Sequence, residues 1–120
     1  MHQEDKAFLD KMFKIIADNI SDPSLDTEFV ASGMGMSIRN LYHRLEGLIV
    51  STPRNIILDY RLSYSEQLLT RTKLTIEEII YRSGFANRGT YFRNFSAKYG
   101  MTPRVYRIER SKETVAAMIS

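Results

Sequence analysis

Residues 75–99, TIEEIIYRSGFANRGTYFRNFSAKY, decide the fold. They open with Thr75-Ile76-Glu77-Glu78, a capping box in which threonine and glutamate satisfy each other's free amides at a helix start. The short helix it begins ends near Ser83-Gly84. A longer helix then covers about 87–99, with Tyr91, Phe95 and Tyr99 four apart on one face, and Gly100 is well suited to stop it. Residues 26–50, DTEFVASGMGMSIRNLYHRLEGLIV, repeat this order about fifty positions earlier. There Asp26 is placed to cap a helix over about 27–33, with Leu25 and Val30 as a hydrophobic staple. Gly33-Met34-Gly35-Met36 breaks it. A second helix starts at Ser37 with Leu41, Leu45 and Leu48 on one face. Gly35 matches Gly84, and Leu45 matches Phe95 within one position.

Working outward, Thr52-Pro53 is an N-cap followed by proline at the first helical position, and the helix it opens can run to about Thr70. Ile56, Ile57, Tyr60, Tyr64, Leu68 and Leu69 form its apolar stripe. Before the first unit, Phe8, Leu9, Met12, Phe13, Ile16 and Ile20 recur at helical spacing; Asp5 is positioned as a cap and Ser21-Asp22-Pro23 as the end. Thr102-Pro103 starts a last helix, and residues 111–120 carry no clear stop and read as a tail. No strand is predicted. The fold class is all-α, about seven helices, as two helix-turn-helix subdomains (5–51 and 73–110) joined by a linker helix (52–72).

Composition removes whole classes of function. The 120 residues include no cysteine and only two histidines, His2 and His43, so disulfides, thiolate zinc sites and multi-histidine metal sites within one chain are excluded. No apolar run reaches bilayer length and no signal pattern opens the chain. A cytoplasmic protein without membrane contact is therefore expected. No phosphate-cradling glycine loop, paired acid–base set or nucleophile with a base is present, so neither enzyme activity nor a cofactor is expected. The net charge of +3 hides an asymmetry. Residues 1–60 carry 6 Lys+Arg against 9 Asp+Glu, whereas residues 61–120 carry 11 against 5. A polyanion would dock more readily on the second half.

In a helix-turn-helix the first helix braces the second, which enters the DNA major groove with its apolar side inward and its polar side outward. The helix from Ser37 turns Leu41, Leu45 and Leu48 inward and leaves Arg39, Tyr42, His43 and Glu46 outside. The helix from Asn87 turns Tyr91 and Phe95 inward and leaves Arg88, Gly89, Phe92 and Arg93 outside. Arginine suits this task because its fork bonds both guanine acceptors at once. A joining helix over 53–70 would be roughly 27 Å long at about 1.5 Å per residue. With its flanking loops it can hold two reading helices about 34 Å apart, one turn of B-DNA.

These features resemble the DNA-binding domain of AraC/XylS-type transcription regulators. The similarity is carried by Ala31-Ser32-Gly33-Met34-Gly35-Met36-Ser37, Leu41-Tyr42-His43-Arg44-Leu45, Tyr60-Arg61-Leu62, Leu68-Leu69, Ile76-Glu77-Glu78-Ile79 and Gly84-Phe85. It continues from Phe95 through Tyr99-Gly100-Met101-Thr102-Pro103 to Tyr106-Arg107. Both halves are especially similar to C-terminal output domains of hybrid two-component regulators of polysaccharide use.

The resemblance implies seven helices, double-stranded DNA as partner, and base contacts from Arg39, Tyr42, His43, Arg88, Gly89, Phe92 and Arg93. It further implies phosphate contacts from Ser37, Asn40, Arg44, Asn87 and Thr90. RNA polymerase becomes a candidate partner, and a sensor or dimerisation region is expected outside this chain. The sequence departs from the family at His43, where arginine is usual, at Ser65 and Ile80, where alanine is usual, and at Gly89 and Phe92. Phe92 can meet a thymine methyl or pack. Solvated charge is the competing reading for the arginines and for the basic cluster Arg104, Arg107, Arg110 and Lys112. The competing function is a helical protein-interaction module.

Overall fold

The computed structural model describes residues 2–119, among which seven α-helices and no strand are found. They are α1 (Gln3–Asp18), α2 (Thr27–Gly33), α3 (Ile38–Leu45), α4 (Pro53–Arg71), α5 (Ile76–Arg82), α6 (Arg88–Tyr99) and α7 (Pro103–Ile119). The chain divides into two compact units between Tyr60 and Arg61, within α4.

In the first unit α1 packs on α2 and α2 on α3. Its core is aliphatic: Leu9, Met12, Ile16, Val30, Leu41, Leu45, Ile56 and Ile57 are buried. Phe13 stacks on Tyr60 with ring centroids 6.0 Å apart. Asp26 caps α2 by accepting from the Phe29 amide at 2.8 Å, and Leu25 and Val30 on either side of it are buried. Asp5 is not the cap expected of it: α1 starts earlier, with His2 as its N-cap. The Asp5 carboxylate instead takes Arg44 at 2.6 Å. At the other end α1 stops at Asp18, short of the Ser21-Asp22-Pro23 signal, because the Asn19 amide side chain donates to the Ile15 carbonyl at 2.7 Å and closes the last turn. α3 ends at Leu45, ahead of Gly47, so Leu48 completes the face from a turn and is only half-buried.

The second unit has an aromatic core. Tyr91 and Phe95 are fully buried, with ring centroids 5.6 Å apart. Tyr106 meets Phe95 edge-on at 5.4 Å. Such pairs add about 0.5–1.5 kcal/mol beyond their area burial. Thr75 caps α5 through the Glu78 amide at 3.2 Å, and Thr102 caps α7 through the Val105 amide at 3.2 Å. Arg107 ties α7 to the end of α4 by donating to the Leu69 carbonyl at 3.0 Å, and Tyr106 donates to Glu66 at 2.9 Å. Positively charged groups at a helix C-terminus are favoured by the helix dipole. Elsewhere in the basic cluster of the last helix, Arg110 pairs with Glu113 at 2.8 Å and Lys112 with Glu109 at 3.4 Å, both exposed pairs, and Arg104 is exposed. Residues 111–119 continue α7 as exposed helix.

The two turns have the same architecture. In the first, the Gly35 amide donates to Ser32 and the Met36 amide to Ala31; in the second, Gly84 donates to Tyr81 and Phe85 to Ile80. This nested pair is the Schellman closure of a helix end. It needs a left-handed residue, and Gly35 and Gly84 supply φ of 72° and 78°. The next helix begins two residues after Gly35, at the cap Ser37, but three after Gly84, at the cap Asn87. Ala86 is the extra residue, and it shifts the repeat by one position between turn and recognition helix.

The Tyr91 hydroxyl is buried and makes no well-formed hydrogen bond; burial pushes the phenol up to about 12, opposed only in part by the neighbouring Ser65 hydroxyl, whose proton goes to the Leu62 carbonyl at 2.8 Å. An unfolded tyrosine ionises near 10, so the native state loses stability as pH rises from about 10 to about 12. Tyr91→Phe should stabilise the fold by about 1 kcal/mol at neutral pH, because an unpaired buried hydroxyl is removed. The variant should also lose stability less steeply across that alkaline window. Urea melts followed by circular dichroism at pH 7 and above pH 10 would measure both effects; a destabilised phenylalanine variant would show that the hydroxyl is bonded.

Candidate nucleic-acid interface

Each recognition helix begins with a residue whose acceptor is spent on the helix and whose donor is left over. Ser37 accepts from the Asn40 amide at 3.0 Å, and Asn87 accepts from the Thr90 amide at 2.8 Å. The serine proton and the Asn87 side-chain amide protons face outward, since both residues are exposed. Donors of this kind beside free helix amides suit a phosphate oxygen.

On α3, Arg39, Asn40, Tyr42 and His43 are all exposed, Tyr42 at 41%. Arg39 has no hydrogen bond or ion pair among the described residues, so its fork is unclaimed. His43 Nδ1 lies 3.8 Å from the Glu46 carboxylate on the same face. Arg44 is placed differently from its neighbours. Its guanidinium bonds Asp5 and lies 4.6 Å from the centre of the Phe8 ring, which fastens α3 to α1. A phosphate contact by Arg44 would have to share these partners.

On α6 the candidates interact with one another. Arg88 forms an ion pair with Glu77 of α5 and lies 4.7 Å from the centre of the Phe92 ring. Phe92 is half-buried, edge-on to the buried Tyr91 at 5.7 Å. It packs on the core side and carries an arginine on its outer side. Arg93 reaches back along the helix, with Nη2 3.5 Å from Thr90 Oγ1. Gly89 makes room for this: a Cβ there would sit 3.2 Å from Arg93 Nη1. Thr90 is half-buried, and its carbonyl accepts from Asn94 at 2.8 Å.

With the one-residue shift included, Arg39 matches Gly89, Tyr42 matches Phe92 and His43 matches Arg93. The two outward faces occupy matching positions in the repeat and differ chemically. Sequence reasoning missed Glu77, which it read only as part of a capping box. A residue eleven positions from Arg88 across a turn has no periodic signal. Among the described residues no cluster of three His, Asp or Glu that could hold a metal exists, and no helix is long and apolar enough to cross a membrane.

Paired brace-and-reader units of this geometry define a double helix-turn-helix protein. The helix-turn-helix domain family matches residues 30–109, and the chain belongs to that family, in its AraC-type DNA-binding branch. A crystal structure of a transcriptional regulator from Chromobacterium violaceum, described as containing an AraC-type DNA-binding domain, superposes with a TM-score of 0.80 at 26% identity, covering 91% of this chain and 96% of that one. Histidine kinase P4 of Formosa agariphila is 29% identical over 109 residues, covering 91% of this chain and 8% of that protein. The transcriptional activator NphR of Rhodococcus is 26% identical over 104 residues, covering 87% of this chain and 31% of that protein. This chain thus spans under a third of the length of either relative.

Gly89 is an exposed position in the first turn of α6 with ordinary helical backbone, so its glycine is not required by φ. Gly89→Ala should leave the fold intact or stabilise it by about 0.5 kcal/mol. The added methyl displaces the Arg93 tip, and affinity for a preferred duplex should drop more than affinity for random DNA. Paired denaturation and DNA titrations test this; equal affinities in parent and variant would place Arg93 away from the bases.

Proposed function

We propose that this domain acts as the output module of a longer transcription regulator and reads an asymmetric site through two major grooves, one with α3 and one with α6. The observation that carries the reading is the duplicated stop, turn, cap and helix, with outward residues that differ between copies. Arg39, Tyr42 and His43 serve one head, and Arg88, Gly89, Phe92 and Arg93 the other. Ser37, Asn40, Asn87 and Thr90 bind phosphate around them, with Arg44 as a shared structural and phosphate group. On this reading residues 5–51 and 73–110 are the two subdomains and 52–72 the linker.

The relatives that contain a similar segment are much longer, which supports a sensor or dimerisation region in the same polypeptide. Regulation then follows from placing two such domains on neighbouring sites, where tethering adds avidity without new contacts. The role is non-enzymatic and cytoplasmic, with RNA polymerase as a further partner.

Alanine at Arg39 or Arg93 should cost about 1–3 kcal/mol on a site selected from random duplexes and much less on random DNA. Equal losses on both would reassign the arginine to phosphate. The same titrations across salt separate DNA from protein recognition, since counterion release makes DNA binding fall steeply with ionic strength. Two-headed reading is tested by Ser63→Pro in α4. Proline inside a helix costs about 3 kcal/mol and bends it. The footprint should contract to one half-site; an unchanged footprint would rule out α4 as a rigid spacer.

A further inference from the structure

We propose that Glu77 is a positioning residue for DNA reading: its carboxylate braces Arg88 against the Phe92 ring, so that the guanidinium meets a base edge in one fixed pose. The inference rests on α6 being a recognition helix and adds a specificity determinant that lies outside it, on α5.

Arg88 is the first residue of α6, at the end where a recognition helix approaches bases. A long, exposed side chain there would sample many rotamers and lose that freedom on binding. Here two anchors hold it. One is the ion pair with Glu77, and the other is the face of Phe92 with its centre 4.7 Å from the guanidinium carbon. Both anchors are themselves rooted. Phe92 packs edge-on against the buried Tyr91. Glu77 stands in the first turn of α5, where the helix dipole favours a carboxylate, and α5 is held by the buried Ile79 and Ile80.

The planar guanidinium has five donors, and bonding one end to a carboxylate leaves donors for a second acceptor. The carboxylate also adds a negative charge beside the arginine. That charge opposes a phosphate at this position, whereas a neutral guanine edge is tolerated. The brace therefore selects base contact over backbone contact. Side chains of Glu77 and Arg88 are 66% and 61% exposed, so the pair contributes little to stability and its removal leaves the fold intact.

The test uses the chain as it stands, a preferred duplex obtained by selection, the same duplex changed at each position in turn, and random duplex. Arg88→Ala identifies the base pair that Arg88 reads. Glu77→Ala should then lower discrimination at that base pair about tenfold, the scale of one bidentate contact. Its affinity for random DNA should stay level or rise. Phe92→Leu, which removes the other anchor, should lose discrimination at the same base pair. In the Arg88→Ala background Glu77→Ala should have no further effect. Circular dichroism of each variant should match the parent. Retained discrimination in Glu77→Ala would overturn the brace while leaving DNA reading in place. So would loss of specific and random binding in equal proportion, or full discrimination in Arg88→Ala. A parent that selects no sequence would overturn the recognition reading itself, and this inference with it.

Discussion

Everything in this domain that faces outward depends on a helix being stopped and restarted within two or three residues. The left-handed glycines at 35 and 84 let a Schellman closure satisfy the last carbonyls of the brace helix. Ser37 and Asn87 then satisfy the first amides of the next helix. With both helix ends satisfied internally, the turn needs no partner from elsewhere in the protein. The reading helix leaves it at an angle set by backbone geometry. A β-branched or bulky residue at either glycine would strain the closure, and the apolar face of the following helix would lose its register with the core.

The arginines sort by what they touch. Arg44 and Arg107 act within the fold, one fastening α3 to α1 and the other closing the end of α4. Arg110 pairs along its own helix and lies over Tyr106. Among the described residues Arg39 makes no hydrogen bond or ion pair, and Arg93 bonds back to Thr90 on its own helix. The excess of positive charge in residues 61–120 is therefore partly structural. The charge left over from these contacts is smaller than the count of basic residues suggests; it includes Arg39 on α3 and the exposed Arg54, Arg71, Lys73 and Arg104 elsewhere.

The helix starts were legible because proline, threonine, serine, aspartate and asparagine act locally. Thr52-Pro53, Thr75, Thr102-Pro103 and Asp26 all begin helices where their chemistry requires. Asp5 was misread because its partner is Arg44, thirty-nine positions away, and a long-range ion pair has no local signature. The aromatic positions 91, 95 and 99 showed their buried face through spacing alone. Phe92 was ambiguous for the opposite reason: a half-buried ring belongs to the core on one side and to a neighbour on the other. Glu77 lies between Thr75 and Glu78, the two partners of a local capping motif, which hid its own contact with Arg88. The outward faces were identified as faces; which atoms on them are free emerged only from three-dimensional packing.

The matched positions of α3 and α6 imply different routes of divergence for the two heads. On α3, Arg39 and Tyr42 are exposed and neither cap nor fill the core, so each can change alone at little cost to the fold. On α6, Arg88, Phe92 and Glu77 share contacts, as do Gly89 and Arg93. A change in one member shifts the value of the others, so substitutions on α6 are coupled where those on α3 are independent. On the proposed reading, paralogues descended from such a domain would vary more readily where α3 meets DNA than where α6 does.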